Sequence, residues 1–300
     1  MKKKTYLFAL MAMGLTLGSC SDNENGIGGE TSKYITVSTS IGNMTRVATD
    51  AKGGQTFEEG DEISVYAWTG APTVAPETSE RVVNNAINKL TNGSWVSTPQ
   101  MLWKNNRDKH YFIGVYPTAA ISDLSAGEYT FDVNKQTESD LLGAVNPDGL
   151  SYSADAQQTV PLTFTHVMAK LAVNLTYKNQ WGGIPTVEKV VVGNAAKEAT
   201  INYLTKVVTP STTAKEDFSL PEITENTKYV SVIIPQEDVK QLTIVIGGKN
   251  FVYDNGTPFK LESGKITTIN LEVGRNEIKL GDVKITDWED GSTFGGEALN

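Results

Sequence analysis

The 300-residue chain holds one cysteine and two histidines. A single cysteine cannot close an internal disulfide, so packing and strand pairing must carry the stability. The histidines, His110 and His166, lie far apart in the chain, and the ligand clusters from which zinc sites are built are missing. The same scarcity argues against nucleophiles of the Ser-His-Asp or Cys-His kind. His166 stands between Thr165 and Val167 at a strand start and reads as a structural residue. Positive charge is scarce too, with 26 Lys and Arg against 35 Asp and Glu and a formal charge of −9. Nucleic-acid binding relies on basic surfaces that neutralise phosphates, and nothing here suggests it. No apolar run reaches the ~20 residues that a membrane crossing needs. No convincing amphipathic helix, fixed-period repeat or cofactor motif is present.

The chain opens with Lys2, Lys3 and Lys4, continues through an apolar run over 6–17, and closes on Leu17-Gly18-Ser19-Cys20. That order is a secretory signal. The small-residue pair before Cys20, with a Leu three positions ahead of it, resembles a bacterial lipobox. The resemblance implies that residues 1–19 are removed and that Cys20 becomes an acylated first residue. Several acyl chains hold a protein firmly at a bilayer, whereas one holds it marginally. Ser21, Asp22, Asn23 and Glu24 resemble the surface-export signal of Bacteroidetes lipoproteins, which implies an outer-membrane anchor facing outward. With three lysines gone, the charge moves from −9 to about −12. Residues 20–33 include Gly26, Gly28 and Gly29 and read as a flexible tether.

Order begins at residue 34. Over 34–41, Ile35, Val37, Thr39 and Ile41 alternate with Thr36, Ser38 and Ser40, the signature of a half-buried strand. Further strands are expected over 63–68, 81–90, 95–103, 109–116, 129–133 and 140–144, with Asn92-Gly93 as a hairpin signal and Asn146-Pro147-Asp148-Gly149 as a turn. The longest run, 166–177, is expected as one strand. Beyond it come 187–192, 199–208, 229–234, 242–246, 250–253, 265–273 and 278–288. Many short strands at this spacing imply antiparallel sandwiches, and the length suggests two domains, 34–162 and 163–300.

Asp287, Glu289 and Asp290 are the densest acidic cluster, but they lack the spacing of a calcium loop and read as a solvated turn. Gly247-Gly248-Lys249 lacks the rest of a phosphate loop and reads as a hairpin. The sequence nominates no carboxylate pair for glycoside hydrolysis. Five tryptophans, Trp68, Trp95, Trp103, Trp181 and Trp288, read as core fillers. The alternative is an anchored lipoprotein that binds glycans through exposed aromatics.

Several stretches together carry a family likeness. They are the lipobox, the Gly tether, the first strand followed by Thr45-Arg46, and Phe57-Glu58-Glu59-Gly60-Asp61-Glu62-Ile63. Trp103 before Tyr111-Phe112-Ile113, Asp140-Leu141-Leu142, Leu162-Thr163-Phe164-Thr165-His166 with Lys170-Leu171, and the closing Ile285-Thr286-Asp287-Trp288 complete the pattern. The chain resembles the fimbrillin family of Bacteroidales, the lipoprotein pilins of type V pili. The resemblance implies two tandem transthyretin-like β-sandwich domains, pilin partners, possible attachment to a host or bacterial surface ligand, and proteolysis after an arginine behind the first strand. Downstream of residue 19 the arginines are Arg46, Arg81, Arg107 and Arg275, and Arg46 alone follows a complete strand at a loop. A cut between Arg46 and Val47 would remove the lipid and the strand Ile35, Val37, Thr39, Ile41 together. A segment from another subunit could refill the groove by strand addition. The candidate donor is the C-terminal run Ile278, Leu280, Val283 and Ile285, whose alternation breaks phase at Gly281-Asp282; the same run reads equally as its own subunit's last strand, folded back. Head-to-tail donation is open-ended and gives a filament.

Overall fold

The computed structural model describes residues 33–42, 57–153 and 158–288. In chain order its first half holds β1 (Thr36–Ile41), β2 (Glu62–Thr69), β3 (Val83–Thr91), β4 (Ser94–Thr98), β5 (His110–Tyr116), β6 (Gly127–Thr130), β7 (Leu142–Leu150) and β8 (Thr159–His166). The second half holds β9 (Ala169–Tyr177), β10 (Val187–Ala196), β11 (Glu198–Asn202), β12 (Val207–Pro210), β13 (Lys215–Ser219) and β14 (Glu222–Thr224). It continues with β15 (Lys228–Ile233), β16 (Gln241–Ile246), β17 (Lys249–Asp254), β18 (Lys265–Val273) and β19 (Ile278–Asp287). Helix among the described residues is confined to the short turns Thr78–Glu80 and Gln136–Ser139. The chain is all-β.

Four sheets result. A seven-stranded sheet runs β1-β8-β7-β5-β2-β3-β4 and a five-stranded one β14-β15-β9-β18-β19. A four-stranded sheet runs β13-β10-β16-β17, and β12-β11-β6 completes the set. Pairing is antiparallel except for β1 with β8 and β9 with β18. The two parallel ladders depart from the uniformly antiparallel expectation. In both, the partners are distant in sequence, so no tight hairpin dictates an antiparallel register.

The seven-stranded sheet is covered on both faces, which explains why β2 is buried without a break from Ile63 to Trp68 although Ser64 interrupts its apolar residues. Ile63, Val65 and Ala67 enter one core with Phe112, Leu162, Phe164 and the side chains of β1. Tyr66 and Trp68, pointing the other way, enter a second core shared with the C-terminal half. The halves are also joined by strand pairing, because β6 pairs with β11 from Gly127 against Ile201 to Thr130 against Glu198.

The expected run over 166–177 is two strands. β8 ends at His166 in the seven-stranded sheet and β9 starts at Ala169 in the five-stranded one, with buried Val167 and Met168 between them. Both junction residues are apolar, so composition does not mark the crossing, and residues 162 and 163 both lie inside β8. Residues 146–149 are the end of β7 and not a free turn. Asn146 Oδ1 accepts the Gly149 N–H at 2.9 Å, and the register against β5 slips there, so the turn chemistry builds a bulge. Residues 199–208 split into the hairpin of β11 and β12. β13 escapes the hydrophobic pattern because it is an edge strand with one buried apolar residue, Phe218.

Candidate functional site, an edge-strand groove

β1 lies at one edge of the seven-stranded sheet, in register with β8 from Thr36 against Thr159 to Ile41 against Phe164. The far edge, β4, curls round to face it. Ile35 N–H donates to Met101 O at 2.9 Å, Trp103 N–H to Lys33 O at 3.2 Å, and Gly42 N–H to Phe164 O at 2.9 Å, pinning both ends of the strand. Ile35, Val37 and Ile41 are 2%, 6% and 9% exposed and pack with Met101, Val160 and Phe164. The opposite face carries hydroxyl contacts, Thr36 with Thr159 and Ser40 with Thr163, both at 3.2 Å. Each side of the strand thus does what the sequence alternation demands.

Thr39 differs from its neighbours. It sits half-buried, and Trp95 Nε1 donates to its hydroxyl at 3.0 Å. Trp95 reaches it from β4, just after the Asn92-Gly93 turn, where both residues take positive φ as a tight two-residue hairpin requires. Phe57 holds the indole in place, packing edge-on against Trp95, Tyr116 and Phe164 with centroids 5.2, 5.4 and 5.1 Å apart. Burial and the nearby Asp61 carboxylate push the Tyr116 phenol above its usual range. Beside β1 lies an open cleft of about 530 Å³, lined by Thr39, Ile41, Phe57, Leu90 and Trp95 among others.

His110 props the start of β1 indirectly. Lys104 N–H donates to its Nε2 at 3.1 Å, so that nitrogen is unprotonated and Nδ1–H donates to Asp108 O, also at 3.1 Å. Burial holds the imidazole below its ordinary value. The unfolded chain therefore binds the proton more readily, so His110 stabilises fully above about pH 6.5 and its contribution is lost as pH falls through the range below. The expected result is a thermal midpoint that drops between pH 7 and pH 5, with His110→Gln flattening part of that slope. Parallel slopes in the two proteins would show that His110 contributes none of it.

At the other end of the chain, β19 pairs with β18 and forms the edge of its sheet. The register slips between Ile269 and Leu271, opposite Gly281-Asp282 where the sequence alternation changes phase. Leu280, Val283 and Ile285 are 38%, 38% and 41% exposed, and Ile278 is half-buried. The strand is an apolar edge left largely open to solvent. Its far end is clamped, since Trp288 is buried, stacks on His166 at 3.8 Å between centroids, and lies under Lys170 Nζ at 4.2 Å. His166 Nδ1 in turn meets Asp140 Oδ1 at 2.8 Å.

Cys20, Arg46 and Val47 lie outside the described residues. Arg81 is buried and donates to Ile121 O at 2.6 Å, whereas Arg107 and Arg275 are exposed, so exposure alone does not single out one arginine. Among the described residues no group of three or more His, Cys, Asp or Glu side chains converges. No described helix is long and apolar enough to cross a membrane. Trp68 and Trp288 are buried, while Trp103 packs on His110 and Phe112 and Trp181 donates to Val273 O at 3.0 Å. Sequence reasoning found β1 but not its parallel partner β8, nor Phe57 and Trp95 as groove walls. The one available signal was the position of Trp95 two residues beyond a hairpin glycine.

The fold and this groove define an all-β protein whose distinguishing feature is an edge strand seated in an apolar slot. The chain belongs to the fimbrillin-like family, whose model matches residues 45–288. Membership supports a pilus-type adhesion subunit at the cell surface. Similar solved structures include a candidate cell adhesion protein from Bacteroides uniformis, 20% identical over 78% of this chain and 93% of that one, with a TM-score of 0.60. A candidate cell adhesion protein from Bacteroides ovatus is 18% identical over 85% and 98%, with a TM-score of 0.61. A fimbrial protein from Bacteroides vulgatus is 14% identical over 84% and 99%, with a TM-score of 0.52. At these identities the likeness establishes the fold. No curated protein matches the chain in sequence.

Proposed function

We propose that the chain is a structural, non-catalytic subunit of cell-surface pili that mediates adhesion. It is exported as a lipoprotein on Cys20, cut between Arg46 and Val47, and assembled by donor-strand exchange. The observation that carries this reading is β1 itself. It is an edge strand, laddered to β8 alone and pinned just ahead of its start to Met101 and Trp103, and the inward side chains of Ile35, Val37 and Ile41 plug a slot between β8 and the β4 edge. Removing it leaves an unpaired β8 edge over an apolar trough, a template for another strand. The exposed aliphatic row of β19 supplies a donor from a second subunit. Before cutting, the lipid on Cys20 ties the subunit to the membrane.

The test is to treat the purified soluble chain with an Arg-specific protease and follow it by electron microscopy and mass spectrometry. The expected outcome is release of the segment ending at Arg46, followed by filaments. A cut chain that stays monomeric, with its first strand still bound, would overturn the proposal.

A further inference from the structure

The groove under β1 is not uniformly apolar. Three of its inward positions, those of Ile35, Val37 and Ile41, are lined by aliphatic and aromatic carbon, but the third, that of Thr39, faces the Trp95 N–H. That donor is held by the β3–β4 hairpin and by Phe57, so its aim does not depend on β1. Within the protein, the Trp95 indole N–H finds a partner at this half-buried site only if the strand in the groove brings an acceptor to it.

We propose that Trp95 selects the strand that fills this groove, accepting segments that read aliphatic, aliphatic, hydrogen-bond acceptor at alternate positions in the direction of β1. The inference rests on the strand-exchange reading and deepens it by stating what the incoming strand must carry. β19 of a second copy presents this pattern twice, as Ile278, Leu280, Asp282 and as Val283, Ile285, Asp287. In each, a carboxylate replaces the Thr39 hydroxyl as acceptor. Read in the opposite direction the acceptor would have to precede two aliphatic residues at alternate positions, and no run within β19 offers that. Within β19 the pattern is therefore met only by a donor that lies parallel to β8, as β1 does. The fourth position, filled by the buried Ile41 in β1, becomes Lys284 or Glu289, whose long stem would follow the apolar wall and carry its charge out to the open cleft beside it. In the free subunit both acceptors are occupied, Asp282 by Asn270 Nδ2 at 2.6 Å and Asp287 by Lys265. Leaving β18 costs the donor those partners, and Trp95 replaces one.

The full chain is cut after Arg46 in the presence of fluorescent peptides spanning 33–42 and 276–288, which compete for the groove with the resident strand and with assembly. The 33–42 peptide is expected to displace the resident strand about tenfold better than its Thr39→Val form, the factor that one hydrogen bond to a half-buried donor carries. The 276–288 peptide should beat its Asp282→Leu/Asp287→Leu form similarly. Both preferences should vanish in the Trp95→Phe chain, which keeps an aromatic ring against Phe57. Equal entry of the 33–42 peptide and its Thr39→Val form would overturn the role of Trp95. A Thr39 preference without entry of the 276–288 peptide would uphold Trp95 and overturn the C-terminal strand as donor, separating this inference from the assembly reading.

Discussion

Deleting residues 33–42 from the soluble chain is expected to abolish cooperative thermal unfolding of its N-terminal half. Ile35, Val37 and Ile41 are each almost fully buried in one core. Burial of such side chains contributes roughly 1.5–3 kcal/mol apiece, so their loss removes about 5–9 kcal/mol. A domain has only ~5–15 kcal/mol of net stability. The deletion also frees the backbone groups of β8 that β1 engages and leaves Phe164 facing solvent through the emptied slot. Calorimetry and near-ultraviolet circular dichroism read the effect directly. The deleted chain should be molten or self-associated, and a midpoint lowered by only a few degrees would show that the slot collapses and closes without its strand.

Removing residues 276–300 should have the opposite balance, stopping assembly while leaving a folded monomer. β19 makes a longer ladder than β1, yet its aliphatic side chains are more than a third exposed from Leu280 onward. Its backbone hydrogen bonds exchange for bonds to water at little net cost. The largest loss is Trp288, which covers His166. A fall comparable to losing one or two buried side chains, about 2–5 kcal/mol, follows. Sedimentation and electron microscopy of the protease-treated truncation should show monomers only. Filaments of normal length would remove β19 as the connecting strand.

The contrast between these strands shows how far the sequence speaks. The period-2 pattern over 34–41 was legible because one face is buried and the other bonds hydroxyls, so hydrophobicity and position change together. The break at Gly281-Asp282 was legible because the aliphatic residues change phase across it, and it is a bulge. Partner choice was not. Parallel pairing of β1 with β8 joins residues more than 120 positions apart, and nothing local encodes it. The end of β8 was hidden because buried Val167 and Met168 continue the apolar run through the switch of sheets. The second covered face of the seven-stranded sheet was visible only as the apolar stretch from Val65 to Trp68 in β2, a pattern that alternation rules read as ambiguous. Trp95 was read as core filler, because composition shows the ring and not the acceptor that its N–H meets.

The intact mass of the native protein released from washed cell surfaces tests the replaceable-strand reading most directly. A chain beginning at Val47, with Cys20 and β1 gone, is the expected result, and it means that the slot in every assembled subunit is filled by another strand. A chain beginning at an acylated Cys20 would contradict it, because the slot would then still hold its own β1 and strand donation into it would be excluded.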